Sequence, residues 1–280
     1  MLLHHQVNFF YSYLRLMPKV QVNGIDLFYD IKGQGEPLLL IAGFLCDHSY
    51  WSLIMPSLVT QYQVIRVDNR GLGRSSAPDS PYNLQQMAND IAALLDHIGI
   101  NQVSVVGHSM GGQIAQELVL AQPGRVKSLI LLSSLAKGDE RFNHVISTWG
   151  DLPSSIDLKL YQKVVFPWIF TDEFYSIPGM VEQLIEWAVN YPFTPATHTL
   201  YHHSRAILSS DTQDRLHKIH CPTLILVGKE DILTPVKFSE QLAQGIPHAE
   251  LVVLDRGGHG LLIESSDTVI SLMLKFLARL

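Results

Sequence analysis

The sequence predicts an α/β domain built on a doubly wound, mostly parallel sheet. Three observations carry this reading. Short β-branched and Leu-rich runs alternate with helix-length stretches along most of the 280 residues. The later runs are nearly all apolar, as strands buried on both faces of a parallel sheet must be. One long segment breaks the alternation and carries no convincing buried strand, so it reads as a helical insertion between two sheet strands.

In chain order, strands are expected at 27–31, 38–41, 64–67, 103–106, 129–132, 224–227 and 251–254, and helices at 84–98, 110–121, 236–244 and 267–280. Such alternation implies right-handed crossovers with helices on both faces. The segment 136–216 is aromatic-rich and punctuated by Pro153, Pro167, Pro178, Pro192 and Pro195. The core is therefore expected over 17–135 and 217–280. Residues 1–16 read as an N-terminal extension, with Met17 an alternative start.

Composition narrows the function. Apolar residues make up 47% and charged residues 16%, enough for a large core and too little charge for disorder. The net charge of −6 comes without a basic run, which argues against nucleic acid as a partner. No apolar run reaches the ~18 residues of a membrane span, and the first residues lack the pattern of a secretory signal. A cytoplasmic location follows as the expectation. Cys46 and Cys221 show neither a disulfide framework nor metal-type spacing. No set of residues has metal-ligand spacing, so neither metal nor cofactor is expected.

The chemistry starts at Gly107-His108-Ser109-Met110-Gly111, a G-x-S-x-G match. Such a match arises by chance in roughly one protein of this length in ten. Its context is more specific: the apolar run VSVV leads straight in, and a helical pattern follows at once. That is the strand–turn–helix of a nucleophile elbow, with Ser109 at the positive end of a helix dipole. A serine hydroxyl needs a base within reach. His259, in Arg256-Gly257-Gly258-His259-Gly260, lies just beyond the last strand, at the sheet edge where open α/β sheets build sites. His108 adjoins the nucleophile, yet the elbow is expected to turn its ring away from the serine. His198 and His202 stand one turn apart, but no carboxylate completes a metal set with them. The acid that orients the base is expected to be Asp231, after the run LILV, with Asp139 second and Glu230 third; the plain alternative for Asp231 is a turn former or helix cap. The order Ser109, Asp231, His259 is that of one lineage of triads and differs from the trypsin and subtilisin orders. Two backbone N–H groups should bind the oxyanion: Met110, after the nucleophile, and Phe44, in the loop after the 38–41 strand.

Further motifs point the same way. Asp68-Asn69-Arg70-Gly71-Leu72-Gly73-Arg74-Ser75 resembles a D-x-R-G-x-G-x-S loop, Gly228, Asp231 and Pro235 match G-x-x-D-x-x-x-P, and Glu264 follows His259. From about Val20 to the C-terminus the chain resembles the α/β-hydrolase superfamily. Within it, the chain is most similar to single-chain esterases and lactonases, such as 3-oxoadipate enol-lactonase and carrier-protein methyl ester esterases. The resemblance implies an eight-stranded sheet, no cofactor, and a role for 136–216 as a helical cap over the site. One departure stands out: the family usually has His-Gly after the third strand, and this chain has Ala42-Gly43.

These readings imply a serine hydrolase cleaving a carboxylic ester or lactone of a small, mainly apolar substrate through an acyl-enzyme on Ser109. The rivals are a C–C bond hydrolase or amidase with the same triad, and a ligand-binding receptor or silent scaffold on the same fold. Trp149, Phe166, Trp168, Phe170, Phe174, Tyr191 and Phe193 suggest an apolar pocket, although any one ring could simply pack the insertion. Six basic against ten acidic residues in 136–216 do not favour an acidic carrier protein as partner.

Overall fold

Alternating side chains along each strand demand two cores, one per face, and the sheet is covered accordingly. The structure is a computed structural model that describes residues 18–280; the expected extension 1–16 and the alternative start lie outside the described residues. Eight strands form one sheet: β1 Lys19–Val22, β2 Ile25–Lys32, β3 Glu36–Ile41, β4 Tyr62–Val67, β5 Val103–His108, β6 Val126–Leu132, β7 Thr223–Gly228 and β8 Glu250–Leu254. The order is β1-β2-β4-β3-β5-β6-β7-β8. β1 and β2 pair antiparallel, as do β2 and β4, and every later pairing is parallel.

β1 is absent from the sequence expectation. Its signal was present: Lys19–Val22 alternates exposed and buried, and the Asn23-Gly24 turn after it takes φ of 44° and 80°, the two positive values of a tight hairpin. β8 corrects a second expectation. It is the last strand of the sheet, and Val253 is 39% exposed, so it is not buried on both faces. Arg66, the charged residue in β4, is balanced across the ladder by Asp30 of β2, at 2.6 and 2.8 Å.

The helices are α1 Met55–Leu58, α2 Leu84–His97, α3 Met110–Ala121, α4 Glu140–Asp151, α5 Leu158–Ile169, α6 Asp172–Tyr175, α7 Met180–Val189, α8 Thr197–Leu208, α9 Val236–Gly245, α10 Leu261–Glu264 and α11 Ser266–Leu277. In β3, Leu39 and Ile41 enter the core under α2 and α3, while Leu38 and Leu40 enter the core under α1 and α11. This is the doubly wound arrangement. Between β6 and β7 the described residues are helical and contain no strand. α4 packs on α8, and Phe142, Ile146, Trp149, Tyr161 and Leu200 join the main core. Phe170, Phe174, Val181 and Ile185 form a separate small cluster within the insertion. Among the described residues no helix is long and apolar enough to cross a membrane.

Candidate active site

β5 is buried along its whole length and delivers Ser109 at the sheet's carboxyl edge. Ser109 sits at φ 53°, ψ −120°, a conformation L-residues rarely hold. Glycines make that turn possible. A Cβ on Gly107 would lie 2.4 Å from the Gly111 oxygen, and one on Gly111 would lie 2.1 Å from the Ile41 oxygen. Ser109 occupies the N-cap position of α3, yet its side chain makes no capping bond. Its hydroxyl faces His259 instead, with Oγ 3.0 Å from Nε2.

The loops after β7 and β8 meet through glycine as well: a Cβ on Gly228 would lie 1.9 Å from the Gly257 oxygen. This close approach brings Asp231 to His259, with Oδ2 3.0 Å from Nδ1. Asp231 is also a turn former. Its Oδ1 accepts from the N–H groups of Leu233 and Thr234, at 3.0 and 2.7 Å. One oxygen shapes the turn and the other meets the imidazole. Asp231, His259 and Ser109 are 2%, 3% and 9% exposed, so this row of hydrogen bonds is shielded from water. With Nδ1 donating to Asp231, Nε2 is left as an acceptor for the serine proton.

The other acid candidates lie elsewhere. Asp139 caps α4, accepting from Phe142 N–H, and pairs with Lys237, which holds its carboxyl below the usual range. Glu230 accepts from Gly257 N–H at 3.1 Å and so braces the histidine loop from outside.

His108 is turned from the serine, but it is not idle. Its Nε2 lies 3.0 Å from the backbone oxygen of His259, and its ring packs against those of His259 and Tyr50. Burial, with His259 beside it, pushes its pKa down to about 3, so the ring is neutral and Nε2–H donates. Nothing in the local sequence signals this contact between residues 151 positions apart.

After β3, a Cβ on Gly43 would press on Ser109 Cβ and His108 Nδ1, each at 3.1 Å. Glycine thus lets this loop lie against the serine. The N–H groups of Phe44 and Met110 donate to no group among the described residues. The Phe44 ring stacks on Trp149 of α4. Ala42, where the family usually has His, is fully buried, and its oxygen accepts from Asn69.

The Asp68–Ser75 loop is structural in its contacts. Asp68 accepts from His48 N–H, His48 Nδ1 and Arg74 N–H, Arg70 pairs with buried Asp90 at 2.9 Å, and Ser75 links Asp68 to β2. Folding also gathers Asp47, His48 and Asp68, whose ligand-type atoms lie within 4.8 Å of one another, a set the spacing does not signal. Each is engaged within the protein: Asp47 accepts from Ser49 N–H and Tyr191 OH, and Asp68 is bonded as above. The His198–His202 pair braces the insertion against the 77–79 segment. Asp79 supplies a carboxylate to His202 at 2.9 Å, and His198 meets the Ala77 oxygen.

The insertion is tied to the site's loops by several hydrogen bonds. Gly260 N–H donates to Ile169 O, Glu264 accepts from Thr171 and from Gly258 N–H, and Tyr191 reaches Asp47 at 2.6 Å. Phe166, Phe170 and Phe174 pack on one another, so these rings fill the insertion.

A family model described as alpha/beta hydrolase fold matches residues 36–266. The chain belongs to the α/β-hydrolase fold family. The RutD protein of Azorhizobium caulinodans, named as a candidate carbamate hydrolase, is 30% identical over 93% of this chain and 98% of its own length. The enol-lactonase of Burkholderia xenovorans is 25% identical, with a TM-score of 0.85 over 93% of this chain and all of that one. A thermophilic esterase of Thermogutta terrifontis is likewise 25% identical, with a TM-score of 0.83 over 94% of this α/β hydrolase and 98% of that chain. The fold and these hydrolase relatives support an enzyme of the hydrolase class.

Proposed function

We propose that this α/β hydrolase is a serine hydrolase of carboxylic esters or lactones, working through an acyl-enzyme on Ser109. The observation that carries the reading is the buried row from Ser109 Oγ to His259 Nε2 to Asp231, with 3.0 Å at each step. In this mechanism Ser109 Oγ attacks the carbonyl carbon while His259 Nε2 takes the hydroxyl proton. Asp231 stabilises the imidazolium that forms. The oxyanion develops beside the N–H groups of Phe44 and Met110, which have no other partner among the described residues. Collapse of the tetrahedral intermediate expels the alcohol, which receives the proton from His259. Water then repeats the sequence: its proton goes to His259 and its hydroxyl to the acyl carbon, the bond from that carbon to Ser109 Oγ breaks, and His259 returns the proton to Oγ as the acid departs.

The helical segment 136–216 serves as a cap in this reading. Its contacts with the histidine loop and with the Asp47 turn support that role. The Phe44 ring, one residue after the Gly43 that lies against Ser109 and stacked on Trp149, favours a small, mainly apolar acyl group. The esterase and enol-lactonase relatives favour ester and lactone substrates. A second reading, cleavage of a carbamate, is favoured by the RutD relative, which matches almost its full length. The same attack applies there, with an amine leaving in place of an alcohol.

The test is a screen of p-nitrophenyl esters of increasing chain length, simple lactones and an N-alkyl carbamate, run beside Ser109→Ala. Turnover of an ester or lactone that vanishes in the variant is expected. Preference for the carbamate would select the second reading. Turnover no greater than that of Ser109→Ala on every substrate would leave a ligand-binding scaffold on a hydrolase fold.

A further inference from the structure

Thr234 follows Asp231 by three residues and is fully buried. Its Oγ1 lies 2.7 Å from Asp231 Oδ2, 3.1 Å from His259 Nδ1 and 3.1 Å from the Ser133 backbone oxygen. A hydroxyl has one proton to give. In the tautomer that leaves Nε2 free for Ser109, His259 Nδ1 carries its own proton, so the acceptors competing for the Thr234 proton are two oxygens. The carboxylate oxygen is nearer and charged, and therefore the stronger acceptor. The Thr234 N–H meanwhile donates to Asp231 Oδ1 at 2.7 Å. One residue thus holds both oxygens of the carboxylate. The turn itself needs only the bonds to Oδ1; the hydroxyl bond falls on the oxygen that faces the imidazole.

We infer that Thr234 is a positioning residue for hydrolysis, whose hydroxyl shares Asp231 Oδ2 with the Nδ1–H of His259, fixes the plane of the carboxylate and limits how strongly it favours the imidazolium. This rests on the reading of Ser109, His259 and Asp231 given above. Few other titratable groups face His259. From the elbow comes His108, kept neutral by burial. From the turn after β3 comes Tyr50, whose phenol is held protonated by burial and by the nearby Cys46 and Asp231. On the histidine loop, Glu230 and Glu264 each bind a backbone N–H, of Gly257 and Gly258.

Thr234→Val keeps the side-chain shape and removes the hydroxyl, whereas Thr234→Ser keeps the hydroxyl. The valine variant should lose roughly 10- to 100-fold in kcat with KM changed by less than about threefold. Its acid limb of kcat/KM should move to higher pH, because Oδ2 has lost a competing donor and binds the imidazolium more tightly. The serine variant should stay within about threefold of wild-type kcat, with the limb unmoved. Wild-type kcat and limb in Thr234→Val would overturn the inference. So would an equal loss in both variants with the limb in place, together with a lowered urea midpoint, since that marks a packing defect. Ser109→Ala and Asp231→Asn belong in the same series. If they stay active, the catalytic reading itself fails; if they are inactive while Thr234→Val is unaffected, only the role of Thr234 falls.

Discussion

The Nε2 of His108, the last residue of β5, lies 3.0 Å from the backbone oxygen of His259, joining the end of β5 to the loop after β8. The residue before Ser109 therefore anchors His259, the base in the proposed mechanism. His108→Leu should lower kcat roughly 10-fold with little change in KM, because a small displacement of a catalytic group is costly. His108→Gln, which can place an amide N–H near the same point, should recover most of that loss. Steady-state kinetics of the two variants decide it, and equal activity in Leu and Gln variants would show that the bond is dispensable.

Ser109 is strained, and it is the nucleophile of the proposed mechanism. Ser109→Ala should cost on the order of 10³-fold or more in turnover while folding is retained. Ser109→Gly should be equally inactive, yet more stable than the alanine variant by about 1 kcal/mol, because glycine accepts φ 53° without strain. Urea midpoints of the two variants test the second part, and an unchanged or lower midpoint for glycine would contradict it.

Asp231→Asn should be far more damaging than Asp139→Asn. The asparagine oxygen can still accept the N–H groups of Leu233 and Thr234, so the turn survives. Its NH₂ would then face His259 Nδ1, selecting the wrong tautomer and leaving the imidazolium without its counter-charge, a loss on the order of 10⁴-fold in kcat. At position 139 an asparagine still caps α4. Comparable kcat losses in the two variants would move the acid away from Asp231.

Stability should fall as the solution is acidified through the range below pH 6.5. Burial pushes His108 down to about 3 and His203 down to about 4 from an ordinary value of 6.5. The unfolded chain therefore binds these protons first. The stabilisation from keeping both rings neutral is complete above pH 6.5 and lost progressively as pH drops towards 4 and 3. Between pH 7 and 4.5 the loss should be on the order of 2 kcal/mol for each ring. His203→Gln keeps a donor for the Arg70 oxygen and removes the titration, so its urea midpoint should fall less over the same interval. An identical fall in variant and wild type would rule out His203 as a source.

The alternation of strands and helices was legible from the sequence because burial of a strand or a helix face imposes a local period. The elbow was legible for the same reason: β5, the turn and α3 are contiguous, and each glycine answers a local steric demand. Even β1 had its signal in Asn23-Gly24 and the alternation before it. The exposure of β8 had none, because only the order of strands in the finished sheet makes an edge.

What the sequence by itself determined was the class of fold, the turn that presents Ser109, and a short choice of bases and acids for it. The tertiary structure alone decided how those choices meet. Ser109 and His259 are 150 positions apart, and their 3.0 Å contact depends on Gly228 admitting the backbone of Gly257 and on β7 and β8 lying side by side. The same packing turned His108 towards the His259 carbonyl, sent Asp139 to Lys237, and set the Thr234 hydroxyl on the carboxylate. Local periodicity records which residues avoid water, whereas a hydrogen bond between distant side chains depends on where two whole elements come to rest.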